Sequence, residues 1–270
     1  ADRAKEENST LKAMQAELKR MQEMLAGQAA RPTQPAAQPA APASGAKSGT
    51  ALEFVIKNGV LTAYNGKSSS VSVPGNVVEL GSGVFKGNTT IRSVSLPHKL
   101  LRIEESAFEG ATSLTSVNIP ENLSKLGWNA FAGCTSLTEL SLRGHHYIKS
   151  IGDGCFRGSG LKKILLPPAL TRLGEDAFRD CTHLETVSMP YDVTEIGPSA
   201  FDNCMRLTQI SLPKSLSALK QNAFRHCGLV SVRIPAGVRT IEKDAFAGCN
   251  NLASVTLSAG ITSIGDGAFS

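Results

Sequence analysis

The chain has 270 residues, of which 41% are hydrophobic but only 5% aromatic, with Trp128 the single tryptophan, so its apolar content is mostly small aliphatic side chains. The formal charge is +5, and residues 51–270 hold 21 bases against 18 acids, a mixture too nearly balanced to neutralise a phosphate backbone, which argues against nucleic acid as partner. No apolar run reaches the ~20 residues of a membrane-spanning helix, and no basic start followed by an apolar stretch marks a leader, so any export signal is expected to be gone already.

In residues 1–28, Leu11, Met14, Leu18, Met21 and Leu25 recur at spacings of three and four, the a/d seam of a coiled coil, with Ser9 or Thr10 as N-cap. Fewer than three heptads make a marginal coil. The segment therefore reads as a weakly oligomerising helix, a spacer helix or a largely disordered stretch. Residues 29–50, with proline at 32, 35, 39 and 42 and little to bury, read as an extended linker.

Residues 51–270 form the third zone. Phe54-Val-Ile, then Lys57-Asn58-Gly59, then Val60-Leu-Thr-Ala-Tyr64 reads as a β-hairpin, since Asn-Gly between two apolar runs suits a tight hairpin turn. We place it at 53–66 as an N-terminal cap. From 68 to 270 the chain repeats itself with a period near 23: phenylalanine recurs at 85, 108, 131, 156, 178, 201, 224, 246 and 269. Aligned on it, a unit reads Leu-x-x-Val-x-Leu-Pro-x-x-Val-x-x-Ile-Gly-x-x-Ala-Phe-x-x-Cys, as in Leu114, Val117, Ile119, Pro120, Leu123, Leu126, Ala130, Phe131 and Cys134. Nine units at a fixed period predict a solenoid of nine coils, the last one cut short at Ser270. Val-x-Leu alternation gives a short strand and the proline after it stops the strand. Each unit is too small to bury its own aliphatic face, so neighbours supply the core. The column Ser106, Asn129, Asp176, Ser199, Asn222 and Asp244 precedes Ala-Phe and is expected to cap a short helical turn.

This unit, and the opening Phe54-Val-Ile-Lys-Asn-Gly-Val-Leu-Thr-Ala-Tyr-Asn-Gly66 followed by Val71-Ser-Val-Pro74, resemble the BspA-type (Treponema-type) leucine-rich repeats of bacterial and protozoan surface proteins. The resemblance implies a curved α/β-type leucine-rich-repeat solenoid, mainly short parallel strands with short helical turns. It implies an exported protein at the cell surface or outside the cell, or in the periplasm, that binds other proteins, often host extracellular matrix. It carries no catalytic residue, cofactor or metal. Residues 1–50 lie outside it and inherit nothing from it.

Cys134, Cys181, Cys204, Cys227 and Cys249 share one column, and Cys155 replaces the Ala before Phe156. Equivalent inward positions suit buried thiols that act as small hydrophobes; disulfides between neighbouring coils, or metal, are the alternatives. On the strands the exposed columns are mostly Ser and Thr, and the exceptions Glu139, Lys163, Leu165 and Arg233 stand out. In the fourth coil Leu142-Arg143-Gly144-His145-His146-Tyr147-Ile148 replaces the usual proline and adds two residues, which predicts a bulge that puts His145, His146 and Tyr147 on the rim. Tyr191 is the aromatic exception just past the proline column. These eight residues form the candidate partner-binding set, centred on coils 4 to 6, with ordinary surface variation as the alternative. Trp128, in a column otherwise polar or proline, is a candidate second contact or a residue packed on its neighbouring coil. No Gly-x-Ser-x-Gly, His-Glu-x-x-His or phosphate loop occurs.

The expected function is a non-catalytic protein-interaction module, an adhesin-like surface protein that binds a host matrix or cell-surface protein through its concave face and the coil-four bulge. The alternative is a structural or assembly protein that oligomerises through the helix at 1–28 or the open last coil.

Overall fold

The computed structural model of this protein describes residues 52–270; the helix predicted at 1–28 and the linker at 29–50 lie outside the described residues. The chain opens with strands β1 (Phe54–Lys57) and β2 (Val60–Tyr64), paired antiparallel across Asn58-Gly59, whose φ angles of +49° and +79° are those of a tight hairpin turn. After the hairpin the chain winds through nine coils, each numbered here by its phenylalanine, from Phe85 in coil 1 to Phe269 in coil 9.

Each coil has two short parallel strands. The first carries the Val-x-Leu signal, and its outward, inward, outward alternation is plain in Ser70–Ser72, where Val71 is buried between two exposed serines. Such strands pair in register from coil to coil: Ser70, Ser93 and Ser116 are successive partners, as are Glu139, Lys163 and Thr186. The second strand is only two residues long, for example Arg172–Leu173, and turns its aliphatic residue inward. On this wall, β2 pairs with the first coil's Glu79–Leu80 and eight strands run on continuously to Glu195–Ile196. A new sheet then starts at Ala218–Leu219. The first wall is interrupted between coils 3 and 4 and again at coil 7, where residues 209–211 are not a strand. Coils 6 and 7 are the one pair of neighbours, among the described residues, with no strand pairing on either wall.

The third edge closes every coil. No helix occurs among the described residues, so the expected helical turn before Ala-Phe is corrected: Ser106, Asn129, Asp176, Ser199, Asn222 and Asp244 adopt φ between +52° and +57°, with glycines 83, 154 and 267 in the same column. Their small polar side chains tolerate the left-handed region, which explains the composition better than helix capping does. A second left-handed column follows each phenylalanine by two residues, from Gly87 to Gly248, with Asp180, Asn203 and His226 among the glycines. The two reversals turn the backbone so that each phenylalanine N–H donates to the carbonyl before the next phenylalanine, as from Phe178 to Ala200 and from Phe201 to Ala223 at 2.8 and 2.9 Å.

Inside this edge the nine phenylalanine rings stack face to face, with centroids 5.0 to 5.7 Å apart and planes within 14° of parallel. The hairpin extends the column, with Tyr64 tilted on Phe85 and Phe54 on Tyr64. Phe85 to Phe246 are fully buried.

Replacing Phe178 with Ala is expected to cost about 3–5 kcal/mol in chemical denaturation, the range for a buried phenyl ring; a loss below about 1 kcal/mol would contradict the stacked core. Asn222→Gly is expected to leave stability nearly unchanged, whereas Asn222→Val costs at least about 1–2 kcal/mol because a β-branched residue resists the left-handed region.

Candidate functional site

The wall of three-residue strands presents short hydroxyls over coils 1 to 3 and changes character at coil 4. There Glu139 stands in register with Lys163, and Ser141 with Leu165, on strands Glu139–Ser141 and Lys163–Leu165. Glu139 and Lys163 are exposed and Leu165 is half-buried. The strand of coil 4 runs directly into the two-residue insertion, whose first residue, Arg143, occupies the proline position.

The insertion divides its side chains. His146 and Tyr147 face solvent, Tyr147 with 61% of its surface exposed. His145 does not reach the rim: it is 5% exposed, and its ring Nε2 lies 3.1 Å from the carbonyl oxygen of Ile119 on coil 3. Strand pairing on this wall is missing between coils 3 and 4. The imidazole therefore satisfies a carbonyl that would otherwise face an unpaired seam. Asn118 of coil 3 turns its amide away from this seam onto coil 2, accepting from Leu96 N–H and donating to Leu96 C=O.

Tyr191, two coils on, projects from the corner after Pro190 and is 86% exposed. The single hydroxyl proton of Ser215 in coil 7 lies within reach of the carbonyls of both Tyr191 and Val193, holding this corner across the seam that lacks strand pairing. Glu139, His146, Tyr147, Lys163, Leu165 and Tyr191 thus lie on three consecutive coils. Arg233 does not join them: it sits on Ser231–Arg233 in coil 8, in a separate sheet, paired with Thr256. Trp128 follows the two-residue strand of coil 3, away from these residues, and is 58% exposed.

The geometry and the repeat signature can now be set beside known proteins. A sequence profile described as the BspA type leucine rich repeat region matches in six copies over residues 61–185 and 173–270. This chain belongs to the BspA-type leucine-rich repeat family. No curated protein sequence matches it. Among solved structures, a leucine-rich repeat protein from Bacteroides ovatus is similar at 22% identity and a TM-score of 0.58, covering 80% of this chain and 77% of that one. The T. pallidum leucine-rich repeat protein is 27% identical with a TM-score of 0.46, over 81% and 86% of the two chains. A leucine rich cell surface protein from Faecalibacterium prausnitzii is 21% identical with a TM-score of 0.35, over 82% and 95%.

In this BspA-type solenoid all six cysteines are buried and free. The column thiols donate to the phenylalanine carbonyl of the coil before, as Cys134 Sγ to Phe108 and Cys227 Sγ to Phe201 at 3.1 and 3.0 Å. Burial pushes the thiols of Cys134 and Cys249 up to about 12 and that of Cys181 to about 11, which keeps them protonated and unreactive at neutral pH. No three His, Cys, Asp or Glu side chains gather as a metal site among the described residues.

Sequence reasoning passed over the edge beside the phenylalanine stack. Asp202, 5% exposed, follows Phe201, with Arg179 Nε 3.8 Å from Oδ2 and His226 Nδ1 3.7 Å from Oδ1, beyond hydrogen-bond distance. Burial raises the Asp202 carboxyl above its ordinary value, and Arg225, Arg179 and His226 only partly offset this. An acid whose folded pKa is raised costs stability while ionised; that cost is full above the folded pKa and is relieved as pH falls through it. Asp202→Asn is therefore expected to raise the melting temperature at pH 7, with the gain shrinking as pH falls through the raised folded value and gone below about 4, near the unfolded value. A variant less stable than wild type at pH 7 would reverse this sign. Native protein at pH 8 is expected to take up no thiol reagent and the denatured chain to react at all six cysteines; fast native labelling would contradict the buried column.

Proposed function

We propose that this protein is a non-catalytic interaction module of the extracellular or cell-surface kind, and that the surface of coils 4 to 6 holds its partner. The observation that carries the proposal is that Glu139, Lys163 and Leu165 stand on paired strands of coils 4 and 5, with Tyr147 and Tyr191 exposed in the turns after the strands of coils 4 and 6, beside coils 1 to 3 that present only Ser and Asn there. A field of serines is well hydrated and contributes little to association, whereas tyrosines bury large, rigid surface at low entropic cost. The segment 143–147, two residues longer than its counterparts, carries His146 and Tyr147 exposed at this surface, and insertions in solenoids often map to the binding face. Support for a place outside the cell and for a protein partner, such as a host matrix or cell-surface protein, comes from the family resemblance.

Arg233 is a separate contact or none in this reading, and His145 acts by holding the insertion against coil 3. The test is a screen of the full chain, immobilised, against extracellular matrix and cell-surface proteins, beside the variant Tyr147→Ala/Lys163→Glu/Tyr191→Ala. The variant is expected to lose at least about tenfold in affinity, corresponding to about 1.4 kcal/mol or more, with an unchanged melting temperature because all three side chains are exposed. Unchanged binding by the variant would remove this surface from consideration.

A further inference from the structure

Trp128 is the single tryptophan of the chain, is 58% exposed, and has no part in the surface of coils 4 to 6. It stands two residues past the short strand Lys125–Leu126, at a position that carries Glu105 in coil 2, Asp153 in coil 4 and Glu175 in coil 5. Backbone hydrogen bonds hold these four positions in register: Ser106 N–H donates to the Trp128 carbonyl, Asn129 N–H to that of Asp153 and Gly154 N–H to that of Glu175, at 2.8, 2.9 and 2.7 Å. The phenylalanine steps from coil 2 to 3 and from coil 3 to 4 are 5.0 and 5.7 Å, so an acidic residue follows the indole one such step away on each side. The position just before this column is glycine at 127, 152 and 174, where an added Cβ would come within 2.7 Å of the preceding coil's backbone. Tight coil packing therefore keeps the strip beside the indole free of side chains.

Charge decides what such a ring is fitted to hold. In the two positions after the short strand, coils 1 to 6 contain four acids, Glu104, Glu105, Asp153 and Glu175, and no base. Glu104 is answered by Arg102 and Lys125. Glu105 and Glu175 are exposed, with no ion-pair partner within 4.0 Å among the described residues, and half-buried Asp153 meets only Arg172, at 4.0 Å. Arg172 itself lies closer to Glu195, at 3.2 Å. The bases of coil 4 without an ion-pair partner among the described residues, Lys149 and Arg157, each stand four residues from Asp153 along the chain, and the charge of Arg157 is felt by Glu109. An indole attracts a cation to its face. A guanidinium can lie flat there and still donate from its edge N–H groups to carboxylates on either side, whereas an ammonium has no flat face to stack. A neutral occupant would leave the carboxylates beside the ring with nothing to offset their desolvation.

We propose that Trp128 anchors a second interaction surface, which takes an arginine-bearing, basic segment of a partner protein. The arginine lies on the indole and donates to Glu105 and to Asp153 Oδ2, since Asp153 Oδ1 already accepts from Glu175 N–H at 3.0 Å. A further base of the segment pairs with Glu175. These residues are distinct from Glu139, Tyr147, Lys163, Leu165 and Tyr191 of the surface proposed above.

Because the chain has one tryptophan, its emission reports on this surface. The test titrates the full chain with three peptides lacking tryptophan and tyrosine: one of alternating Arg and Gly, and the same with Lys or with Gln for each Arg. The Arg peptide is expected to change the emission saturably and to bind at least about threefold tighter than the Lys peptide and at least about tenfold tighter than the Gln peptide. By anisotropy of the labelled Arg peptide, Trp128→Ala and Glu105→Lys/Glu175→Lys are each expected to lose at least about tenfold with an unchanged melting temperature, since all three side chains are exposed, while Tyr147→Ala/Tyr191→Ala binds as wild type does. Equal affinity for the Lys or the Gln peptide, or binding that leaves the emission unchanged, would overturn the proposal. Loss in the charge variant with none in Trp128→Ala would also overturn it, leaving only a general attraction between charges. So would saturable quenching by spermidine or maltohexaose at concentrations where the Arg peptide has no effect, which would give the indole a different occupant.

Discussion

Coil after coil, the solenoid is closed by one repeated pairing: a phenylalanine N–H reaches the carbonyl before the next phenylalanine while the two rings lie flat on each other. This pair occurs at every seam from coil 1 to coil 8, including those where the strands on one or both walls fail to meet. It requires two left-handed residues per coil to aim the backbone, and it supplies the large apolar area that aliphatic residues of two- and three-residue strands cannot. A single coil could not hold its phenylalanine buried, so the order of one coil depends on the next.

Because this edge fixes the spacing, the opposite corner is free to vary. The insertion in coil 4, Pro168 in coil 5 and Tyr191 in coil 6 alter the surface while Phe156, Phe178 and Phe201 keep their stack. Rigid core and variable corner are thus divided by position within the repeat. Where strand pairing on a wall is interrupted, side-chain hydrogen bonds cross the seam: His145 between coils 3 and 4, and Ser215 between coils 6 and 7.

The number of coils, the inward phenylalanines and the strand positions were legible in the spacing of Phe, Pro and Val, because a period of 23 repeats the same physical demand nine times. The exposed positions of Lys163 and Glu139 followed from strand alternation, that of Tyr147 from the extra residues of coil 4, and that of Tyr191 from its place just past the proline column. What failed was the meaning of the Asn/Asp/Ser column: the same residues favour helix caps and left-handed turns, and only the backbone distinguishes them. His145 was missed as a buried residue because an insertion breaks the register that tells inside from outside. The interrupted sheets were not legible at all, since coil 7 repeats the consensus of its neighbours.

The seam between coils 6 and 7 has a consequence for how the molecule responds to load. In a chain of nearest-neighbour couplings, cooperativity is limited by the weakest link, and here two walls out of three lack a strand pair across one seam. Coils 1 to 6, with the hairpin, and coils 7 to 9 are therefore two blocks joined by the phenylalanine edge, the shared aliphatic core and the hydroxyl of Ser215, without a strand pair. Tension along the solenoid axis concentrates at that joint. Glu139, Tyr147, Lys163, Leu165 and Tyr191, in coils 4 to 6, all lie in the larger block, so the C-terminal coils can yield under a pull while these residues stay in place.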